Sequence, residues 1–407
     1  MFITLKKMPK VVHIVLFGGF VVWSVYFMLW PFMAIIFYQK FGLSLLLTGT
    51  ILSLATFVSI SLSVYGGYLS DRIGNRFMLK AGLMIVILSL VPVLITDHLM
   101  SYIIMLFGIS ASRGVLGTTF KVVIANEIKD VEFKKQSFYW FYFCINIGGA
   151  LGPFLGVTFT LHYPQYTFLT LLIICVIYAF VSIVFFSKHF SKPTDSNKPL
   201  SLAQSFKIIR QDYALLFLIV ANMLIILVFG QMDSTLAQYF SRLDNSAFIT
   251  LFSYLIVINC MMILIFQFPF LRLIARFSDK QQVYIGIMLF ALAQIAFAAT
   301  PDNFYLGWII AVIFLSLGEI ILFSVVNVQI DKLAPDNLKG AYFGVSNFYM
   351  FGLVLAPYVG SLLLKVVGRN LAFVVMLGLC CAIFILYRLA MQQHAKSLEQ
   401  QKLAETH

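Results

Sequence analysis

Four charged side chains interrupt stretches that are otherwise strongly apolar. Arg113 and Lys121 share one stretch, and Asp233 and Glu319 each stand in another. A charge near the centre of a bilayer costs at least about 2.5–3.5 kcal/mol, so such residues face water or a partner and mark a pathway. Desolvation favours the neutral form of a carboxyl group, and an acid in this position can take up and release protons near neutral pH. Asp233 and Glu319 are therefore candidates for coupling protons to the passage of a solute. At 1.5 Å per residue, Arg113 lies about 18 Å along its stretch from Ser101, and Glu319 about 22 Å from Phe304. Both depths are near the middle of a membrane, where the two can pair. A static Arg113–Glu319 ion pair is the structural alternative to coupling. Asp233, about 30 Å from Tyr213, can instead be a water-exposed rim residue. Lys121 can line the path or extend its ammonium to the membrane surface. Gln231 and Asn327 add polar contacts, while Trp23, Tyr26, Phe27 and Trp30 offer an aromatic wall for a large amphipathic solute. In a chain with 42 Phe, such a wall serves packing equally well.

The elements that carry these residues follow from composition. Of 407 residues, 61% are apolar and 11% charged, against about 25% charged in a soluble domain. A spanning helix needs about 20 apolar residues, and the chain supplies twelve such stretches, at 11–38, 44–69, 77–95, 101–125, 136–161, 167–186, 213–240, 247–270, 281–299, 304–329, 340–366 and 370–391. The fold class expected is an all-α integral membrane protein. The first stretch follows Lys6, Lys7 and Lys10 but is too long for a signal peptide, and is expected to stay as the first span.

Placing the N-terminus in the cytoplasm assigns 22 of the 28 Lys and Arg to cytoplasmic segments and four, Lys40, Arg242, Lys365 and Arg369, to external ones. The excess of cations in cytoplasmic loops selects that orientation, with both termini inside and the protein in the cytoplasmic membrane. The basic segment 187–211 reads as a linker between a six-helix half at 1–186 and a second at 212–391, followed by a tail at 392–407. The formal charge of +12 is spread over short loops, without the stripe a nucleic-acid surface would need.

The halves repeat. A shift of 204 positions aligns Arg72 with Arg276, Gly82 with Gly286, Glu127 with Asp331 and Lys135 with Lys339. The same shift aligns Gly148 with Gly352, Pro153 with Pro357 and Gly156 with Gly360. Two parallel repeats related by an axis along the membrane normal are expected, with a solute site between them.

The junction after the second stretch reads Gly67-Tyr-Leu-Ser-Asp71-Arg72-Ile-Gly74-Asn75-Arg76 and resembles the loop between spans two and three of the major facilitator superfamily. Asn75 departs from that pattern, and the second copy has Ala275 where Asp71 aligns. The resemblance implies a twelve-span transporter in which spans one, four, seven and ten line the cavity, and a cytoplasmic gate of Gly67, Asp71, Arg72, Gly74 and Arg76. Glu127, at the end of span four, is an expected partner of Arg72 or Arg76. A solvated turn that only sets topology is the alternative. In span five, Gly148, Gly152, Pro153 and Gly156 resemble the glycine-proline motif of proton-coupled drug antiporters, and Arg113 with Gly117 resembles another of their patterns. Small residues at this spacing also let two helices approach closely without any directional meaning.

The expectation is a secondary transporter, not an enzyme, exporting small amphipathic or cationic compounds against protons in the manner of multidrug efflux. The alternative is proton-coupled import or export of a metabolite, siderophore or organic anion. A phosphate-binding Gly-x-x-x-x-Gly-Lys loop is absent, which argues against ATP drive. His13, His98, His162, His189, His394 and His407 are scattered or terminal, and the five cysteines have no ligand spacing, so no metal and no cofactor are expected beyond protons as the coupling ion. The expected partners are a small-molecule solute and the lipid bilayer, no nucleic acid, with the monomer as the working form. A channel is the other class considered; acids and bases on separate halves fit alternating access better.

Overall fold

In the computed structural model, the residues described are 8–128, 130–186, 212–243, 247–333 and 346–405. Among them there is no strand, and twelve helices are long and apolar enough to cross a membrane. Backbone amides inside a bilayer have no water to bind, so a span must satisfy them within its own helix. The first six spans are Lys10–Gln39, Leu45–Ser63, Asn75–Ile95, Leu99–Ile124, Trp140–His162 and Pro164–Phe185. Span seven, Tyr213–Phe240, consists of helices Tyr213–Phe229 and Gln231–Phe240 that meet at Gly230. Spans eight to twelve are Ala247–Ile274, Asp279–Ala299, Tyr305–Val325, Phe348–Val366 and Gly368–Ala395. The chain is a multi-pass membrane protein, and large apolar side chains such as Phe180 (70% exposed) and Leu88 (60%) remain on its surface for lipid.

The described residues form two compact units. The first holds those of 1–197 and 236–264, the second those of 198–235 and 265–407. This partition differs from the sequence halves, because the end of span seven and most of span eight pack with the first six spans. The segment expected as a linker, 187–211, lies outside the described residues.

In the first unit, span five lies along span one. A Cβ on Gly148 would come within 2.8 Å of the Phe20 carbonyl oxygen, and one on Gly156 within 2.8 Å of the Met28 carbonyl oxygen. The Thr160 hydroxyl donates to that same Met28 carbonyl at 3.0 Å. Only glycine permits so close an approach of two backbones. Span four packs on span three, where the Ser112 hydroxyl donates to the Gly82 carbonyl at 2.8 Å. Tyr178 of span six donates to the Ile14 carbonyl of span one at 3.2 Å.

The second unit repeats this construction. Span eleven lies along span seven, with Gly352 against Met223 and Leu227, and Gly360 against Gln231 and Thr235. The matching neighbours of Gly148 and Gly156 are Phe20 and Ser24, and Met28 and Phe32. Each span-seven residue is 203 positions after its span-one counterpart, so the repeat seen in the glycines extends to what they touch. Gly82 packs on Leu116 and Gly286 on Leu322, which places spans nine and ten together as spans three and four are. Span twelve covers span nine through Phe297–Phe373 and Tyr284–Phe384 ring contacts.

Candidate functional site

Span one presents Tyr26 and Trp30 one helical turn apart, and their rings stack at 5.9 Å with an interplanar angle of 22°. Both are buried, at 4% and 6% exposure. The Arg113 guanidinium of span four lies over the Tyr26 ring, 4.1 Å from its centroid. This contact attracts the cation to the face of the ring but satisfies none of its N–H donors. Among the described residues Arg113 makes no hydrogen bond or ion pair, and its Nε is buried without a partner. The Trp30 indole N–H is likewise buried, without an acceptor among the described residues. Lys121, two turns further along span four, is exposed. Trp23 and Phe27 are packing residues, Trp23 beneath Gly117 and against Phe141, Phe27 against Gly149 and Gly152.

In the second unit, Asp233 falls in the first turn of helix Gln231–Phe240, just past the break at Gly230. It is half-buried and makes no hydrogen bond or ion pair among the described residues. Glu319 of span ten is buried, at 7% exposure. Span ten neighbours the first part of span seven through the Phe229–Phe323 edge contact at 5.1 Å. Gln231, expected as a solute contact, is engaged in packing: its amide donates to the carbonyls of Leu227 (2.9 Å) and Ala356 (3.3 Å) and accepts from Thr235 (2.5 Å). The Asn327 side chain lies outside the described residues.

Gly74 separates the helices Leu45–Ile73 and Asn75–Ile95 with φ +93°. A side chain strains that conformation, so the tight turn expected there needs its glycine. The side chains of Gly67, Asp71 and Arg72 lie outside the described residues. Arg76 is exposed and makes no ion pair among the described residues, while Arg72, the other expected partner of Glu127, has its side chain outside them. Gly148, Gly152, Pro153 and Gly156 all lie in helix Val131–His162, where the glycines seat span five on span one.

Sequence reasoning missed Arg242. Its guanidinium lies over the Tyr38 ring at 4.2 Å and donates to the carbonyls of Gln238 (2.7 Å) and Leu43 (3.4 Å). The only sequence signal was its place among four cations on the external side. A second polar cluster beside it joins Lys40 to Asp97 and Tyr102.

Residues 15–351 match the family described as the Major Facilitator Superfamily. The chain belongs to that superfamily, and is a transporter rather than an enzyme. It is 27% identical over 388 residues to YqjV of Bacillus subtilis, an uncharacterized MFS-type transporter, covering 91% of this chain and 92% of that one. It is 23% identical over 385 residues to a Na(+), Li(+), K(+)/H(+) antiporter of Planococcus maritimus, covering 87% and 89%. Among solved structures, a peptide transporter POT in complex with sulfate superposes with a TM-score of 0.78 at 15% identity, covering 96% of this chain and 95% of that one.

Proposed function

We propose that this transporter couples solute movement to protons by alternating access and exports small amphipathic compounds. The observation that carries this reading is the pair of carboxyl groups inside spans seven and ten. Asp233 has no partner among the described residues and sits beside a helix break, and Glu319 is buried. An ionised carboxylate is costly at these depths, and a group that exchanges a proton there is the element that coupling requires. The likeness to the Planococcus maritimus antiporter, whose name describes exchange of cations for protons, supports antiport. The multidrug-efflux type and a cationic solute rest on the resemblance of Gly148, Gly152, Pro153 and Gly156 to antiporters, residues that also serve packing. The loop 67–76 is assigned the cytoplasmic gate, with both termini in the cytoplasm. A second reading, transport of an organic anion, is favoured by Arg113, a cation without a protein acceptor.

Reconstituted protein tests the proposal. Lipophilic cations, organic anions and metabolites are screened for saturable uptake with and without an imposed pH gradient. Glu319→Gln and Asp233→Asn keep side-chain size but cannot cycle a proton. In both, gradient-driven accumulation should fall at least tenfold, equivalent to about 1.4 kcal/mol, while downhill exchange survives. Accumulation unchanged in both variants would remove the coupling assignment, and a linear ohmic current would indicate a channel.

A further inference from the structure

The six spans of the first half contain no Asp or Glu, whereas span four carries both Arg113 and Lys121 near and beyond its middle. Arg113 therefore has no carboxylate within those spans to pair with. Its contact with Tyr26 is to the ring and not to an acceptor atom, and among the described residues its five N–H donors, set in a rigid fork, have no protein acceptor. The Trp30 indole N–H is a further donor in the same position. A buried unmet donor costs about 1–3 kcal/mol, and here two lie on one aromatic stack. Combining the 4.1 Å and 5.9 Å separations, the guanidinium carbon is no more than about 10 Å from the Trp30 ring centroid. A single two-ring solute is therefore long enough to meet both donors.

We propose that Arg113, Tyr26 and Trp30 form a subsite for a planar aromatic carboxylate, the guanidinium taking the carboxylate and the indole N–H a second acceptor on the ring system. The fork of Arg113 matches a carboxylate in two parallel charge-assisted bonds. The Tyr26 ring, stacked on Trp30 and lying under the guanidinium, holds the cation and the indole in fixed places, so little entropy is lost when a solute meets them. Cationic solutes are disfavoured beside Arg113 and Lys121. The subsite rests on the reading of the protein as a carrier of small amphipathic solutes and names the charge of the group that this half holds. It does not depend on proton coupling.

Equilibrium binding to purified protein, without any gradient, tests it. The probe is 6-methoxy-2-naphthoate, with the matched aminomethyl cation as control, each followed by isothermal titration. The naphthoate should bind saturably and the cation at least tenfold more weakly. Arg113→Gln should weaken naphthoate binding by about tenfold or more, as expected on losing a charged hydrogen-bond partner. Arg113→Lys should restore part of that loss, because the charge returns without the fork. Trp30→Phe, which keeps a ring and removes the N–H, should weaken binding about three- to tenfold. Melting temperatures of the variants separate misfolding from lost recognition, and the two conservative variants carry the test if Arg113→Gln does not fold. Equal or tighter binding of the cation, naphthoate affinity unchanged in the folded variants, or no naphthoate binding to the wild type would each overturn the subsite. Failure of gradient-driven transport in Glu319→Gln bears on coupling alone and leaves this result standing.

Discussion

The guanidinium of Arg242, at the end of span seven, lies over the ring of Tyr38, at the end of span one, and reaches the Leu43 carbonyl in the turn that follows. Phe32 of span one and Phe252 of span eight meet edge to face at 6.4 Å below it. In the first unit, therefore, this cation and this ring pair are among the contacts that join the chain's first and later segments. The alternating access proposed above requires such contacts to part and reform.

Arg242→Ala removes the stacking contact and the bond to Leu43, together worth about 1–2 kcal/mol. The parted state should become several-fold more populated. A cysteine replacing Thr48, which is fully buried near the start of span two, should then react several-fold faster with a soluble maleimide in a background without native cysteines. Arg242→Lys should behave almost as Arg242→Ala, because an ammonium lacks the planar fork. Equal reaction rates in wild type and Arg242→Ala would show that the contact bears no load in closure.

The glycines give a second prediction. Gly352→Ala drives a methyl group into the Met223 carbonyl, and Gly148→Ala into the Phe20 carbonyl and the Ser24 amide. In both cases the obstacle is backbone, which cannot rotate away, so each should cost about 1–3 kcal/mol or force the helices apart. Gly378→Ala, where nothing lies within 4 Å of the new methyl, is the control and should not destabilise. Melting in detergent that ranks Gly378→Ala with the other two would contradict this packing.

The same glycines show what the sequence makes legible. Gly148, Gly156, Gly352 and Gly360 were recognisable as a repeat because a close helix approach tolerates almost no other residue. Their neighbours Phe20, Ser24, Met223 and Leu227 were not, since any side chain whose backbone is approached will serve. The twelve spans follow from apolar run length, and most of their ends fall within a few residues of the sequence limits. The partners of Gln231 were not legible, because a glutamine in a span signals a need for polar contacts without naming the Leu227 and Ala356 carbonyls that meet it. Arg242 escaped notice because Tyr38 and Leu43 lie some two hundred positions earlier. The Arg113–Tyr26 contact joins two residues that were each singled out, but no spacing rule pairs a position in span one with one in span four.

Orientation provides a third prediction. Asp302 follows span nine, and Lys198 lies in the segment between the sixth and seventh spans, so an odd number of crossings separates them. Cysteines at the two positions should react with an impermeant reagent from opposite sides, Asp302→Cys from outside intact cells and Lys198→Cys only after permeabilisation. Labelling of Lys198→Cys from outside would reverse the proposed orientation.

The last prediction concerns the cluster of Lys40, Asp97 and Tyr102. Lys40 bonds to Asp97 Oδ1, and the Tyr102 hydroxyl donates to the same oxygen at 3.0 Å. The hydrogen bond from Lys40, aided by that from Tyr102, holds the Asp97 carboxyl below its usual range against an opposing effect of burial. Burial pulls Lys40 down, but its bonds to Asp97 and Tyr102 outweigh this and leave it above the usual ammonium range. A depressed acid stabilises the fold above its unfolded pKa, about 3.9, and loses that contribution as pH falls through its lower folded value. A raised base contributes below its unfolded pKa, about 10.4, and loses that contribution as pH rises through its higher folded value. The pair should therefore contribute throughout roughly pH 4–10. Its side chains are 34% and 54% exposed, so solvent limits the coupling to about 0.2–1 kcal/mol. A double-mutant cycle of Lys40→Gln and Asp97→Asn, read from chemical unfolding in detergent, should show that coupling at pH 7 and lose most of it in 1 M salt or well below pH 4. Coupling of the same size in 1 M salt and in acid would assign the cluster to neutral hydrogen bonding through Tyr102 rather than to charge.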